Sequence, residues 1–312
     1  MPVSNPLTAL LGVKHPILLA PMDFVAGARL AAAVSKAGGF GILGGGYGNQ
    51  AWLEQETRKM ATLAPGAPFG VGFITWSLAK QPHLLEVALA AKPRAIMLSF
   101  ADPKPFAKQI KAAGALLICQ VQTEGGAKEA LDAGADVLVA QGTEAGGHGG
   151  SRGTMSRVPA IVDLAGGVPV VAAGGIADAR GLAASIALGA AGVLMGTRFY
   201  ASQEADGPDE CKKRICAASG EDTVRGLLFD ITRQNVWPGP YTGRCLTNDL
   251  VRRWGGREVE LLQNARAVAA EYDAAKAAGN YDIAAVIAGE AVGLIHDVPT
   301  AAEIIERMVA KT

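Results

Sequence analysis

The sequence predicts an α/β fold: a (β/α)₈ barrel carrying an appended, mostly helical second domain. Three observations lead there. Eight short apolar runs recur, with starts about 20 to 30 residues apart, inside residues 16–196. Helical patterns fill the gaps and repeatedly stop at a glycine just before the next run. After Phe199 the texture changes, with more charge, three of the four cysteines and no further strand refrain. Eight βα units on one pitch suit a closed barrel, whereas a doubly wound open sheet usually has five or six strands and is the alternative.

The expected strands are 16–20, 40–43, 69–74, 95–98, 115–121, 136–140, 168–172 and 191–195. Each is a continuous aliphatic run, as expected of parallel strands buried on both faces. Between them, 28–37 is an amphipathic helix ended by Gly38-Gly39, and 49–63 is a second that stops before Pro65. Residues 124–133 and 179–188 run into Gly134 and Gly189, which read as helix C-terminal stops. The organisation expected is a barrel over 1–199, a helical segment over 200–278, and a segment 279–312 that returns to the barrel, with helices at 282–289 and 301–311.

Composition narrows the function classes. Lys plus Arg and Asp plus Glu are both 29, so the formal net charge is zero, which argues against a polyanion-binding protein. Half the residues are hydrophobic, which excludes a disordered chain. The uncharged stretch 181–197 is broken by glycines and a serine, and a membrane span takes ~20 strongly apolar residues. The N-terminal residues lack a basic region followed by a long apolar core, so no secretory signal is read there and a cytoplasmic location is expected. Cys119, Cys211, Cys216 and Cys245 form no CxxC pair and read as free thiols, so no metal site is expected. Homo-oligomerisation is compatible with the sequence.

The forty glycines, about twice the usual ~7%, concentrate attention on the strand ends. Gly174-Gly175 follows the seventh expected strand and Gly196-Thr197 the eighth. In barrels these two loops often hold a ligand phosphate on backbone N–H groups, the alternative being two tight turns. Gly44-Gly45-Gly46-Tyr47-Gly48 lacks the spacing and acidic partner of a dinucleotide fingerprint. His148 lies inside GGHGG, where no neighbouring side chain competes with it. An imidazole titrates near neutrality, so it suits general acid–base work or anion stabilisation.

Ala20-Pro21-Met22 after the first strand, EAGGHGG at 144–150, AAGGIADARG at 172–181, MGTRF at 195–199 and AVIAGEAVGLIHDVP at 285–299 together resemble the nitronate monooxygenases. Their relatives include flavin-dependent enoyl-acyl-carrier-protein reductases and NAD(P)H:quinone reductases. The resemblance implies a barrel with a helical second domain that binds FMN non-covalently. It implies that Ala20, Pro21 and Met22 line the isoalloxazine, that Gly146 and Gly147 approach it, and that His148 reaches the substrate. Ala173, Gly174, Gly175, Gly196 and Thr197 would hold the phosphate. Gly72, Gln120 and Gln141 are further cofactor-binding positions, standing where some relatives have Asn, Lys and an acidic residue. The implied reaction is oxidation of an alkyl nitronate or nitroalkane with O₂, releasing a carbonyl compound and nitrite. The alternatives are an NAD(P)H-dependent quinone or enoyl-thioester reductase and a non-catalytic flavin sensor. Residues 200–278 and the segment 289–295 are expected to wall the substrate pocket.

Overall fold

The computed structural model describes residues 5–310. Eight parallel strands form the barrel: β1 (Ile17–Leu19), β2 (Gly41–Gly44), β3 (Phe69–Ile74), β4 (Ala95–Ser99), β5 (Leu116–Val121), β6 (Val137–Gln141), β8 (Val170–Ala173) and β9 (Gly192–Met195). They pair in the order β1-β9-β8-β6-β5-β4-β3-β2, and a parallel bridge from Leu18 to Phe40 joins β1 to β2. The eight strands lie where the apolar runs were read, and the architecture is a TIM barrel.

Alternation along each strand sorts the core into two layers. Leu18, Ile42, Met97, Ile118, Val139, Val171 and Leu194 belong to one buried cluster that also takes in Leu7 and Leu11. These last two come from the helix Pro6–Leu11, which starts with a capping box between Asn5 and Thr8. Ile17, Leu19, Leu43, Val71, Leu98 and Val193 face the other way and pack with helices such as Ala28–Lys36 and Gln50–Leu63. Burying one such side chain contributes about 1.5–3 kcal/mol.

The segment after Phe199 is mainly helical but holds two strands that no sequence periodicity disclosed. These are β10 (Thr223–Gly226) and β11 (Thr242–Leu246), which pair antiparallel. β11 pairs in turn with β7 (Gly147–Gly149), so the glycine-flanked histidine is itself part of a strand. The expected helix over 282–289 is absent. That stretch is instead bound edgewise to the appendage: Leu246 N–H donates to the Val286 carbonyl, and the Asn248 side chain donates to the carbonyls of Ile283 and Ala284. These bonds take backbone groups a helix would need, while Val286 and Ala288 are buried in a small core with Ile215 and Ile295. The last helix is Ala301–Val309, and the expected end at Lys311 lies outside the described residues. Among the described residues no helix is long and apolar enough to cross a membrane.

Candidate active site

Apart from Gly72, which lies within β3, the singled-out residues lie at or beyond the C-terminal ends of barrel strands, on the side of one mouth. Ala20, Pro21 and Met22 follow β1, and Pro21 lies over β3 because Gly72 has no side chain: a Cβ there would sit 2.4 Å from the Pro21 ring. Met22 lies beside Gly196, with a Cβ on that glycine falling 3.7 Å from the Met22 sulfur. The first and eighth barrel strand ends therefore touch.

Ala173 closes β8, and Gly174 and Gly175 follow with φ of +103° and +74°, a conformation side chains disfavour. The amides of Gly174, Gly175, Gly196 and Thr197, and that of Met22, donate to no other group among the described residues. Thr197 Oγ1 accepts from the Gly289 amide at 2.9 Å, and its own proton remains to be donated. Adjacent free amides and a hydroxyl at two neighbouring strand ends form a set of donors suited to a phosphate ester. Beneath them, Glu144 receives the Thr154 amide at 2.9 Å on both carboxylate oxygens, capping the helix Thr154–Leu164.

Gln120 in β5 is half-buried, and its carboxamide has no partner among the described residues, which leaves it free for a ligand. Gln141 is engaged within the protein. Its Nε2 donates to the His148 carbonyl at 3.0 Å, and its Oε1 accepts from Gln122 at 2.8 Å. Gly146 is pressed against the chain at Ala288 and Gly289, and Gly147, the first residue of β7, takes a φ of +71°.

His148 sits opposite Gly243 in the β7–β11 pairing. Its Nε2 is 2.8 Å from Asp230 Oδ2, and the two side chains are only 8% and 7% exposed. Its ring stacks on Trp237 with centroids 3.5 Å apart and planes 7° from parallel. Asp230 Oδ1 in turn accepts from Arg233 at 2.9 Å. Burial holds the imidazole below its ordinary pKa, against the opposing pull of Asp230. Trp237 and Asn235 each donate to the Tyr47 hydroxyl at 2.8 Å. Trp76, Phe100 and Tyr241 complete an aromatic wall around Trp237, with Trp76 at 5.3 Å and Phe100 at 5.0 Å from it.

The appendage also grips the loop before the histidine. Arg225 of β10 donates to the carbonyls of Thr143 and Ala145, and Arg244 of β11 donates to that of Thr143 at 3.0 Å. Burial, then the neighbouring Arg244 charge, pushes the Arg225 guanidinium down to about 10. Asp230, Arg233 and Arg225 escaped the sequence reading, and Glu144 was read only as the first residue of the EAGGHGG motif. Of the first three, only Asp230 left a trace, as a lone acid inside the apolar run Leu227-Leu228-Phe229-Asp230-Ile231.

The free amides at one side of the mouth could hold a phosphate-bearing ligand, with a buried imidazole at the other. A profile of the nitronate monooxygenase family matches residues 4–83 and 77–311. The nitronate monooxygenase npaC of Metarhizium robertsii is 37% identical over 94% of this chain and 89% of its own length. A (3aS,4S,5R,7aS)-5-hydroxy-7a-methyl-1-oxo-octahydro-1H-indene-4-carboxyl-CoA dehydrogenase of Rhodococcus jostii is 32% identical over 97% of this chain and 94% of its own. In three dimensions the chain is similar to FabK from Thermotoga maritima, with a TM-score of 0.87, 32% identity, and 99% and 96% of the two chains covered. The family match covers nearly the whole described length, and the chain belongs to the nitronate monooxygenase family of oxidoreductases.

Proposed function

We propose that this chain is an FMN-dependent nitronate monooxygenase acting on an alkyl nitronate or its parent nitroalkane with O₂. One observation carries the reading: free amides at the ends of β8 and β9 and a buried imidazole share a single barrel mouth. The amides of Gly174, Gly175, Gly196 and Thr197 fit the phosphate, and those of Met22 and the Gln120 carboxamide suit the polar edge of a flavin ring. When bound, the flavin supplies the two-electron oxidation and the route to O₂.

His148 faces the substrate. Toward a nitronate, already deprotonated, it acts by hydrogen bonding and electrostatics. Toward a neutral nitroalkane it takes the α-proton. A positioned base contributes about 10²–10⁴ in rate, or about 3–5 kcal/mol of barrier. His148→Asn is therefore expected to retain flavin and lose nitroalkane turnover by 10²–10⁴-fold (~3–5 kcal/mol), with a smaller loss on the nitronate. Full activity of this variant on both substrates would sink the assignment. Trp237, Tyr241 and the remainder of 200–278 form the pocket wall on this reading.

The resemblance to a carboxyl-CoA dehydrogenase supports a second reading, in which the substrate is an acyl thioester and NAD(P)H is the electron donor. Anaerobic mixing separates the two. Bleaching of bound flavin by a nitronate but not by NAD(P)H supports the first, and rapid bleaching by NAD(P)H supports the second. Neither response would leave a flavin-binding protein without turnover.

A further inference from the structure

We propose that Asp230 is the positioning residue of the site: its carboxylate holds His148 as the Nε2–H tautomer, so that Nδ1 is the atom that takes the substrate proton. The inference rests on the reading of His148 as the base and names the atom and the residue that make it one.

The imidazole is fixed from three directions. Its main chain is held by the pairing of His148 with Gly243 and by the Gln141 side chain on its carbonyl. One ring face lies on Trp237. The Nε2 edge meets Asp230 Oδ2 at 2.8 Å, while Nδ1 has no hydrogen-bond partner among the described residues. A carboxylate has no proton to give, so a neutral imidazole must donate its single N–H to it. That leaves the lone pair on Nδ1. Arg233, bonded to the other carboxylate oxygen at 2.9 Å, keeps the Asp230 carboxylate aimed. The charged and titratable groups around the ring are Asp230, Arg233 and Arg225, with the Tyr47 phenol on the far side of Trp237.

In the step itself, the C–H bond α to the nitro group breaks and the proton goes to Nδ1. The electron pair moves onto the nitro oxygens to give the nitronate. His148 becomes an imidazolium whose new charge is opposed by Asp230. The same division of labour, a carboxylate fixing the tautomer of a histidine base, operates in hydrolase triads, where an Asp-to-Asn change leaves the geometry but presents the wrong nitrogen.

Asp230→Asn is the test, with Asp230→Glu as the conservative control and bound flavin and thermal melting as checks on folding. ¹⁵N-labelled holoprotein reports the tautomer directly, the His148 signals being assigned by their loss in His148→Asn. The wild type should show a protonated Nε2 and a bare Nδ1. Asp230→Asn should shift the population toward Nδ1–H and lower nitroalkane kcat by 10²–10⁴-fold while nitronate turnover falls much less. Because the carboxylate favours the imidazolium, its removal should also move the acidic limb of the nitroalkane pH profile to lower pH. Asp230→Glu should restore the tautomer and part of the rate. An unchanged tautomer and an unchanged acidic limb in Asp230→Asn overturn the proposal, and so does an equal loss in all Asp230 variants on both substrates. The underlying reading fails separately: if His148→Asn keeps full nitroalkane activity, His148 is no base, whatever the tautomer in Asp230→Asn.

Discussion

The amides at the ends of β8 and β9 and the side chains around His148 meet across one barrel mouth, yet they are built from different materials. The first group depends on backbone conformation at Gly174 and Gly175, held by strands buried on both faces. The second depends on Asp230, Arg233, Trp237 and Tyr47, which reach the histidine from the appendage and from the loop after β2. The backbone half should tolerate most exchanges of neighbouring side chains and fail when a glycine is lost. The side-chain half should fail by degrees, changing rate and substrate preference before stability.

The strongest way to break the first half is Gly174→Val. Its φ of +103° is strained for any side chain, and a Cβ there lies 3.0 Å from both the Ala145 nitrogen and the Gly142 oxygen. Strain and overpacking together should cost about 3 kcal/mol or more. Denaturant melts should show that loss, and flavin released from the purified variant should be far below one equivalent. A variant that binds flavin normally would place the phosphate elsewhere.

Asp23 follows Met22 after β1 and lies against Gly46, and its carboxylate has no hydrogen-bond partner among the described residues. Burial raises it from 3.8 to about 6, with only a weak opposing pull from Lys276. A raised acid binds its proton more tightly in the folded state, so folding is favoured at low pH. The cost is absent below about pH 4, grows between 4 and 6, and is full above 6, reaching at most about 3 kcal/mol. Asp23→Asn should stabilise the protein at pH 7 by up to that amount and leave stability at pH 4 nearly unchanged. Chemical denaturation at the two pH values reads the difference, and equal effects at both would show that charge burial is not the cause.

The mildest probe is Tyr47→Phe. It strips the acceptor from two N–H donors, Trp237 Nε1 and Asn235 Nδ2. The expected cost is about 1–3 kcal/mol, read as a higher KM with kcat little changed if Trp237 stays stacked on His148. A lower kcat with an unaltered KM would mean that the tyrosine acts through the histidine.

The barrel was legible in the sequence because its strands are local apolar runs, most of them preceded by a glycine stop, as at Leu188-Gly189 before β9. His148 was legible for a local reason too, being the one functional side chain among four glycines. Its setting was not. β10 and β11 are short and carry arginines at 225 and 244, so they show no apolar signature. β11 is a strand because it pairs with β7, about 95 residues away in sequence, and β10 because it pairs with β11. The misread helix at 282–289 has the same origin, because the Asn248 side chain and Leu246 amide that hold it extended come from the appendage.

The pairing of His148 with Gly243 carries a consequence for how such proteins can be recombined. A segment swapped in from a relative at 200–278 would bring more than a new pocket wall, since β11 is the rail on which the histidine rides. Side chains alternate along a strand, so a graft whose β11 is one residue out of step turns Arg244 to the opposite face and sets a different residue against His148. Shuffled chimeras should therefore fall into two classes by the parity of that junction, with insertions or deletions of two residues tolerated far better than those of one.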